Sequence, residues 1–369
     1  MRRVTFIAAL GAFAALFAAG LPAVAPTKAH AAGRPHPSPA TAAAPAAPPA
    51  SATPAAALAP AAAPASSAPK QIPDLAFGAF QRGYYITAFA LATKEALAKD
   101  DPISMTLVGE LYASGLGVPQ DYKKAAEWYR LAAARGNADA MFALAMFRME
   151  GRNGPRNREK SAKWLAAAAK LGNPIAAYDL ALLYMEGELF PQSFTRAAQL
   201  LRQAAQAGNP EAQYALGTLY KEGRGVPKDM AEAVHLFALA ALADQTDAEV
   251  EYAIDLFNGD GVTRNQKLAA AIFRKAALKG NPIAQDRLAI ILAHGLGVPP
   301  NPIEAAKWHL VSKADGETDL MLDDFVNHLD PQTRAQAEKE AKPWVDAVKR
   351  EIAAKTAPVP VAAAAAPAK

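Results

Sequence analysis

The residues best suited to do chemistry in this 369-residue sequence are four histidines and a scatter of carboxylates. His235, His294, His309 and His328 stand clear of the low-complexity ends, unlike His30 and His36. No two of the four are spaced as an i,i+4 pair, which would set two imidazoles on one helical face to grip zinc. Surface or boundary positions are therefore expected for them, and no zinc or hydrolytic centre. Asp315, Glu317, Asp319, Asp323 and Asp324 cluster late in the chain but lack the loop glycine and closing glutamate of a calcium-binding hand. Carboxylates there complement the positive end of a helix. The sequence has no cysteine, which excludes a disulfide framework, a thiolate metal site, a thiol nucleophile and a lipid-anchored lipoprotein start. No catalytic residue, metal or cofactor is expected.

The remaining carboxylates gain meaning from the elements that must carry them. Asp100, Gly136, Gly172, Gly208, Asp244 and Gly280 follow one another at intervals of 36 residues, and 15 residues after each stands Gly115, Gly151, Gly187, Gly223, Gly259 or Gly295. One residue after each start comes Asp101, Asn137, Asn173, Asn209, Gln245 or Asn281, and Pro102, Pro174, Pro210 and Pro282 follow four of them. A capping side chain and then proline begins a helix, because proline lacks only an N–H that would be unpaired there anyway. The glycine ends that helix in a left-handed conformation. Asp121, Asn157, Ser193, Asp229, Asn265 and Asn301 cap a second helix after a loop that contains Pro119, Pro155, Pro191, Pro227 or Pro299 in five units. Small pairs such as Ala125–Ala126 and Ala305–Ala306 then precede large residues such as Trp128, Trp164, Phe237, Phe273 and Trp308. Small beside large favours close packing, and Trp128, Trp164 and Trp308, at one shared offset, are expected in the core rather than as platforms for sugars.

The expected architecture is all-α, a solenoid of six stacked helix pairs (100–135, 136–171, 172–207, 208–243, 244–279 and 280–315) between capping helices. A single N-terminal capping helix is expected over 75–99, and closing helices over 316–355, with Asp330 capping Pro331 and a kink or break at Pro343. The stretch 32–74 and the tail 356–369, nearly all Ala, Pro, Ser and Thr, read as a disordered tether and tail. Ahead of them, Arg2–Arg3, an apolar run from Val4 and Ala29-His30-Ala31 read as a signal peptide over 1–31, cleaved after Ala31, although the run is nearly long enough for an uncleaved anchor. A periplasmic or secreted protein is expected, with no stable membrane insertion once the leader is gone.

The stretches AQYALGTLYKEGRGVPKDMAEAVHLF (Ala212 to Phe237) and LVGELYASGLGVPQDYKKAAEWYRLAAARG (Leu107 to Gly136) resemble the Sel1-like repeats, a branch of the tetratricopeptide-type solenoids. The resemblance runs over 100–315, and Asn153, Leu189 and Thr263 depart from its Gly-x-Gly-Val-Pro loop. It implies a right-handed superhelix used as an adaptor, in envelope assembly, signalling or contact with host cells, and it implies no reaction. Some cysteine-rich relatives are connected with penicillin binding, but this chain lacks the cysteines that define them.

Offsets 3, 7, 10 and 14 of the first helices carry Glu110, Asp139, Glu150, Asp179, Glu186, Glu211, Glu222, Asp247 and Glu251 against one base, Arg287. The second helices are correspondingly basic, with Lys123, Lys124, Arg158, Lys163, Arg274, Lys275 and Lys279 among others. The resemblance places first helices on the concave surface, so these acids are expected to line a negative groove that concentrates its field on a basic protein segment. Glu150, Glu186 and Glu222, all at offset 14, form a ladder that either meets the partner or pairs with bases of the adjoining repeat. Without Arg2, Arg3 and Lys28 of the leader, the 39 Lys+Arg come close to balancing the 35 Asp+Glu, which argues against nucleic acid as partner. The expected role is a non-catalytic scaffold or regulator that binds an envelope protein. Alternatives are cell-wall (peptidoglycan) binding and, more remotely, lactam processing.

Overall fold

The computed structural model describes residues 75–356, which form sixteen α-helices. The expected leader, the tether and all of the tail but Thr356 lie outside these residues. Two short helices, α1 (Leu75–Gln81) and α2 (Tyr85–Lys99), precede six pairs: α3 (Pro102–Ser114) and α4 (Tyr122–Ala134), α5 (Ala138–Glu150) and α6 (Arg158–Lys170), α7 (Pro174–Glu186) and α8 (Phe194–Gln206), α9 (Pro210–Glu222) and α10 (Met230–Leu242), α11 (Thr246–Asn258) and α12 (Gln266–Leu278), α13 (Pro282–His294) and α14 (Pro302–Ala314). The chain closes with α15 (Leu320–Asn327) and α16 (Pro331–Thr356).

Each paired helix has 13 residues because its ends are chemically fixed. The Asn209 side chain accepts from Ala212 N at 2.7 Å to start α9, and Gly223, at φ 72°, stops it. Partners pack along their length, and each second helix also packs on the first helix of the next pair, so apolar surface that one pair leaves open is covered by its neighbour. Close approach needs small residues. A Cβ at Gly217 would stand 2.7 Å from Phe237 Cε1, so only glycine lets this ring lie flat against α9.

The ends and the tryptophans differ from expectation. Residues 75–99 are two helices, not one, because Gly83 takes φ 82° between them. The helix α16 continues through Pro343 instead of breaking there. The next residue, Trp344, meets the Trp308 ring edge-on at 5.3 Å and helps to hold that turn against α14. Trp308 is buried, but Trp128 and Trp164 are only half-buried. The large core position lies one residue further along, at offset 29, where Tyr129, Leu165, Leu201, Phe237 and Phe273 are all buried. In the sixth repeat this position holds His309, which is 1% exposed and so not the surface or boundary histidine its spacing suggested.

Candidate partner-binding face

The nine carboxylates of the first helices fall into two groups. The offset-14 glutamates lie in the last turns of α5, α7 and α9, where the helix dipole disfavours negative charge, and each has an arginine. Arg158, from the preceding repeat, reaches Glu186 at 2.8 Å and Glu188 at 2.7 Å. Arg224 meets Glu222 at 3.1 Å, and Arg152 pairs with Glu150. The expected ladder is thus neutralised from within the chain, and Arg158 shows that bases of a second helix reach across to first-helix acids. Glu110 and Asp139 are also engaged: Tyr129 Oη donates to Glu110 at 3.0 Å, and Asn173 Nδ2 donates to Asp139 at 2.8 Å.

The others gather on α7, α9 and α11. Burial pushes the Asp179 carboxyl up to about 6, and no base pairs with it among the described residues. Glu211, at the start of α9, and Asp179 bear on the Tyr178 hydroxyl, which burial foremost and then these two charges push up to about 12. One repeat on, burial and the charges of Glu251 and Asp247 raise Tyr214 in the same way. Asp247 is exposed, yet desolvation first and then the charge of Glu251 hold its carboxyl above the usual range. Lys221 is the base that reaches into this group, with Nζ 2.7 Å from Glu251 Oε2 and 3.8 Å from Asp255 Oδ1. Burial works against its ammonium, but Glu251, Asp255 and Asp260 together outweigh that and raise its pKa.

Several polar residues here escape a reading by charge and face alone. Asp255 occupies offset 11, where the other repeats carry Leu111, Phe147, Leu183, Leu219 and Ile291, all buried. It is 1% exposed, and its Oδ2 has no hydrogen-bond partner. Burial lifts its carboxyl to about 6 despite the pull of Lys221. Glu249 is equally buried, at an offset where Gln213 and Gln285 each donate Nε2 to a carbonyl of the preceding helix at 3.2 Å. A carboxylate cannot donate, and Glu249 Oε1 instead accepts from Lys275 and Lys279 at 2.8 Å each, leaving Oε2 without a partner. His309 Nε2 lies 2.8 Å from Asp323 Oδ1, which ties α14 to α15 and gives one member of the late acidic cluster a structural partner. The signal for all three was in the repeat register, as a polar residue at an offset that is apolar or amide elsewhere. Among the described residues no group of three or more His, Cys, Asp or Glu is placed to hold a metal, and no helix is long and apolar enough to cross a membrane.

Helix pairs in this register, with glycine stops and side-chain caps at fixed offsets, define a helical repeat solenoid. The Sel1 repeat model matches six consecutive segments, 102–137, 138–173, 174–209, 210–245, 246–281 and 282–312, and the chain belongs to this family. Sel1 repeats are in general protein-interaction scaffolds, and the family is typically non-catalytic. Among solved structures, a protective antigen of uropathogenic Escherichia coli with an SLR fold is 25% identical, with a TM-score of 0.61 over 77% of this chain and 64% of that one. The chain therefore spans less than two thirds of that antigen. A Sel1 repeat protein from Oxalobacter formigenes is 28% identical, with a TM-score of 0.56 over 64% of this chain and 97% of that one. No curated protein matches the sequence.

Proposed function

We propose that this chain is an exported, non-catalytic scaffold that holds a basic segment of an envelope protein against the face built by α7, α9 and α11. The observation that carries the reading is the deficit of cations there. Among the described residues Asp179, Glu211, Asp247, Glu251 and Asp255 share one paired base, Lys221, while the offset-14 glutamates in the last turns of α5, α7 and α9 are each matched by an arginine. Asp179, Glu251 and Asp255, partly or wholly buried, are screened less by salt than the exposed Glu211 and Asp247, so a basic ligand gains more from these three than from an ordinary acidic surface. Export rests on the leader-like N-terminus and the tether behind it.

The test is cross-linking in the envelope followed by binding of the purified partner to the wild type and to Glu211→Gln/Asp247→Asn/Glu251→Gln. The partner should carry a basic segment, binding should weaken as salt is raised, and the variant should lose affinity at least tenfold while its helical signal is unchanged. Binding that ignores both salt and the variant would overturn the reading. Cosedimentation with purified cell-wall sacculi in place of a protein partner would assign the face to peptidoglycan instead.

A further inference from the structure

Between α9 and α11 a carboxylate replaces the core leucine of its repeat. Asp255 lies in the last turn of α11, fully covered, with Oδ1 turned toward Lys221 and Oδ2 bonded to nothing. A buried unpaired carboxylate oxygen is costly, and the other repeats avoid the cost with Leu, Phe or Ile at this offset. Lys221 does not remove it. Its ammonium sits 2.7 Å from Glu251 but 3.8 Å from Asp255, so one point charge serves the first carboxylate well and the second poorly. A guanidinium presents a planar fork of N–H donors that can bond two carboxylates at once. Lys221 itself is one third exposed on a flexible stem, with Asp260 near enough to act on its charge, and can swing aside.

We propose that Glu251 and Asp255 form the anchor for an arginine side chain of the bound segment, with Lys221 holding the place until the guanidinium displaces it. The proposal rests on the reading of this face as a protein-binding surface and names the residue type it selects. Ionised Asp255 is the form that binds. Lys221 on α9 and Glu251, Asp247 and Asp260 around it are the charged groups that face the site, with the neutral Tyr214 hydroxyl beside Glu251 and Asp247. Protonation of Asp255, whose carboxyl burial holds up to about 6, should therefore weaken arginine binding as pH falls through that value.

The experiment compares hexa-arginine with hexa-lysine, equal in charge, by calorimetric titration of the wild type, Asp255→Leu and Lys221→Ala at low salt. Wild type should prefer hexa-arginine about tenfold. Asp255→Leu should erase the preference while the protein melts at the same or a higher temperature, since leucine is what this position holds in other repeats. Lys221→Ala, with the competing ammonium gone, should tighten hexa-arginine binding severalfold. An unchanged preference in Asp255→Leu, with both peptides still bound, overturns the anchor and leaves the acidic face standing. Failure of wild type to bind either peptide overturns both.

Discussion

Phe237→Ala and Trp164→Ala separate the core position from its neighbour. The Phe237 ring is 0% exposed, lies against Gly217 and packs near Tyr214 at 5.8 Å between centroids. Its removal leaves a hole lined by the glycine, which has no side chain to relax into it, so the cost should fall at about 3–5 kcal/mol, the usual range for a buried aromatic. Trp164 is larger but only half-buried, and its truncation exposes groups to water instead of enclosing a void. A cost of about 1–2 kcal/mol is expected for it on the same reasoning. For a folded region of this size about 1 kcal/mol moves the melting temperature by roughly 2–4 °C, so Phe237→Ala should melt at least about 6 °C lower and Trp164→Ala only a few degrees lower. Thermal melts followed by circular dichroism, with urea midpoints as a second measure, give the comparison. Equal losses, or a larger one for Trp164→Ala, would refute the assignment of offset 29 as the core register.

The other predictions concern charge and processing. Asp179 is raised to about 6 when folded against about 4 when unfolded, so the folded state holds its proton longer; the stability it contributes is present below pH 4 and lost as pH rises to 6. Asp179→Asn should thus be more stable than wild type at pH 7 by on the order of 2 kcal/mol and nearly equal at pH 4, read as urea midpoints; a gain that is the same at both pH values refutes the burial of charge. Replacing Glu150, Glu186 and Glu222 by Gln together should lower stability, by no more than about 1 kcal/mol for each exposed pair lost, and leave partner affinity within twofold, since their arginines already occupy them; a gain in stability or a larger loss of affinity would refute the pairing. Mass spectrometry of the protein from an envelope fraction should find Ala32 as the first residue, and an intact Met1 would show an anchor instead.

The repeat register was legible because backbone chemistry fixes it. A glycine that must take positive φ and a side chain that must cap N–H groups tolerate few replacements, and their recurrence every 36 residues sets helix starts and stops together. The buried face was harder to read, since one residue turns a helix by about 100°, which separates offset 28 from offset 29. Offset 28 holds the bulky Trp128, Trp164 and Trp308, while His309 interrupts the otherwise buried Tyr, Leu and Phe series at offset 29. The pairing of Glu186 with Arg158 joins residues 28 positions apart through two long side chains, a contact that depends on how repeats stack and on no local pattern. Gly83, by contrast, was a visible helix stop inside 75–99, and its left-handed conformation is a local property of the sequence.

Regularity also makes the weakest unit visible. In a solenoid each pair is held by its own contacts and by its two neighbours, so local stability follows the quality of each interface. The fifth repeat carries both Glu249 and Asp255 inside α11, each with a buried oxygen that finds no partner, whereas at those offsets α9 has Gln213 and Leu219, neither with such an atom, and α13 has Gln285 and Ile291, of which only Gln285 Oε1 is left without a partner. An unsatisfied buried polar group costs about 1–3 kcal/mol, so α11 should open to solvent more readily than the helices on either side. Hydrogen exchange should find its amides protected tenfold less or worse relative to those of α9 and α13. Glu249→Gln with Asp255→Leu restores the residues of the neighbouring repeats and should bring the three helices level, the amide donating as Gln213 does while Lys275 keeps Asp244 at 2.6 Å. Equal protection of α9, α11 and α13 in the wild type would mean that the two buried carboxylates carry no local penalty, and the argument from the broken register would fall with it.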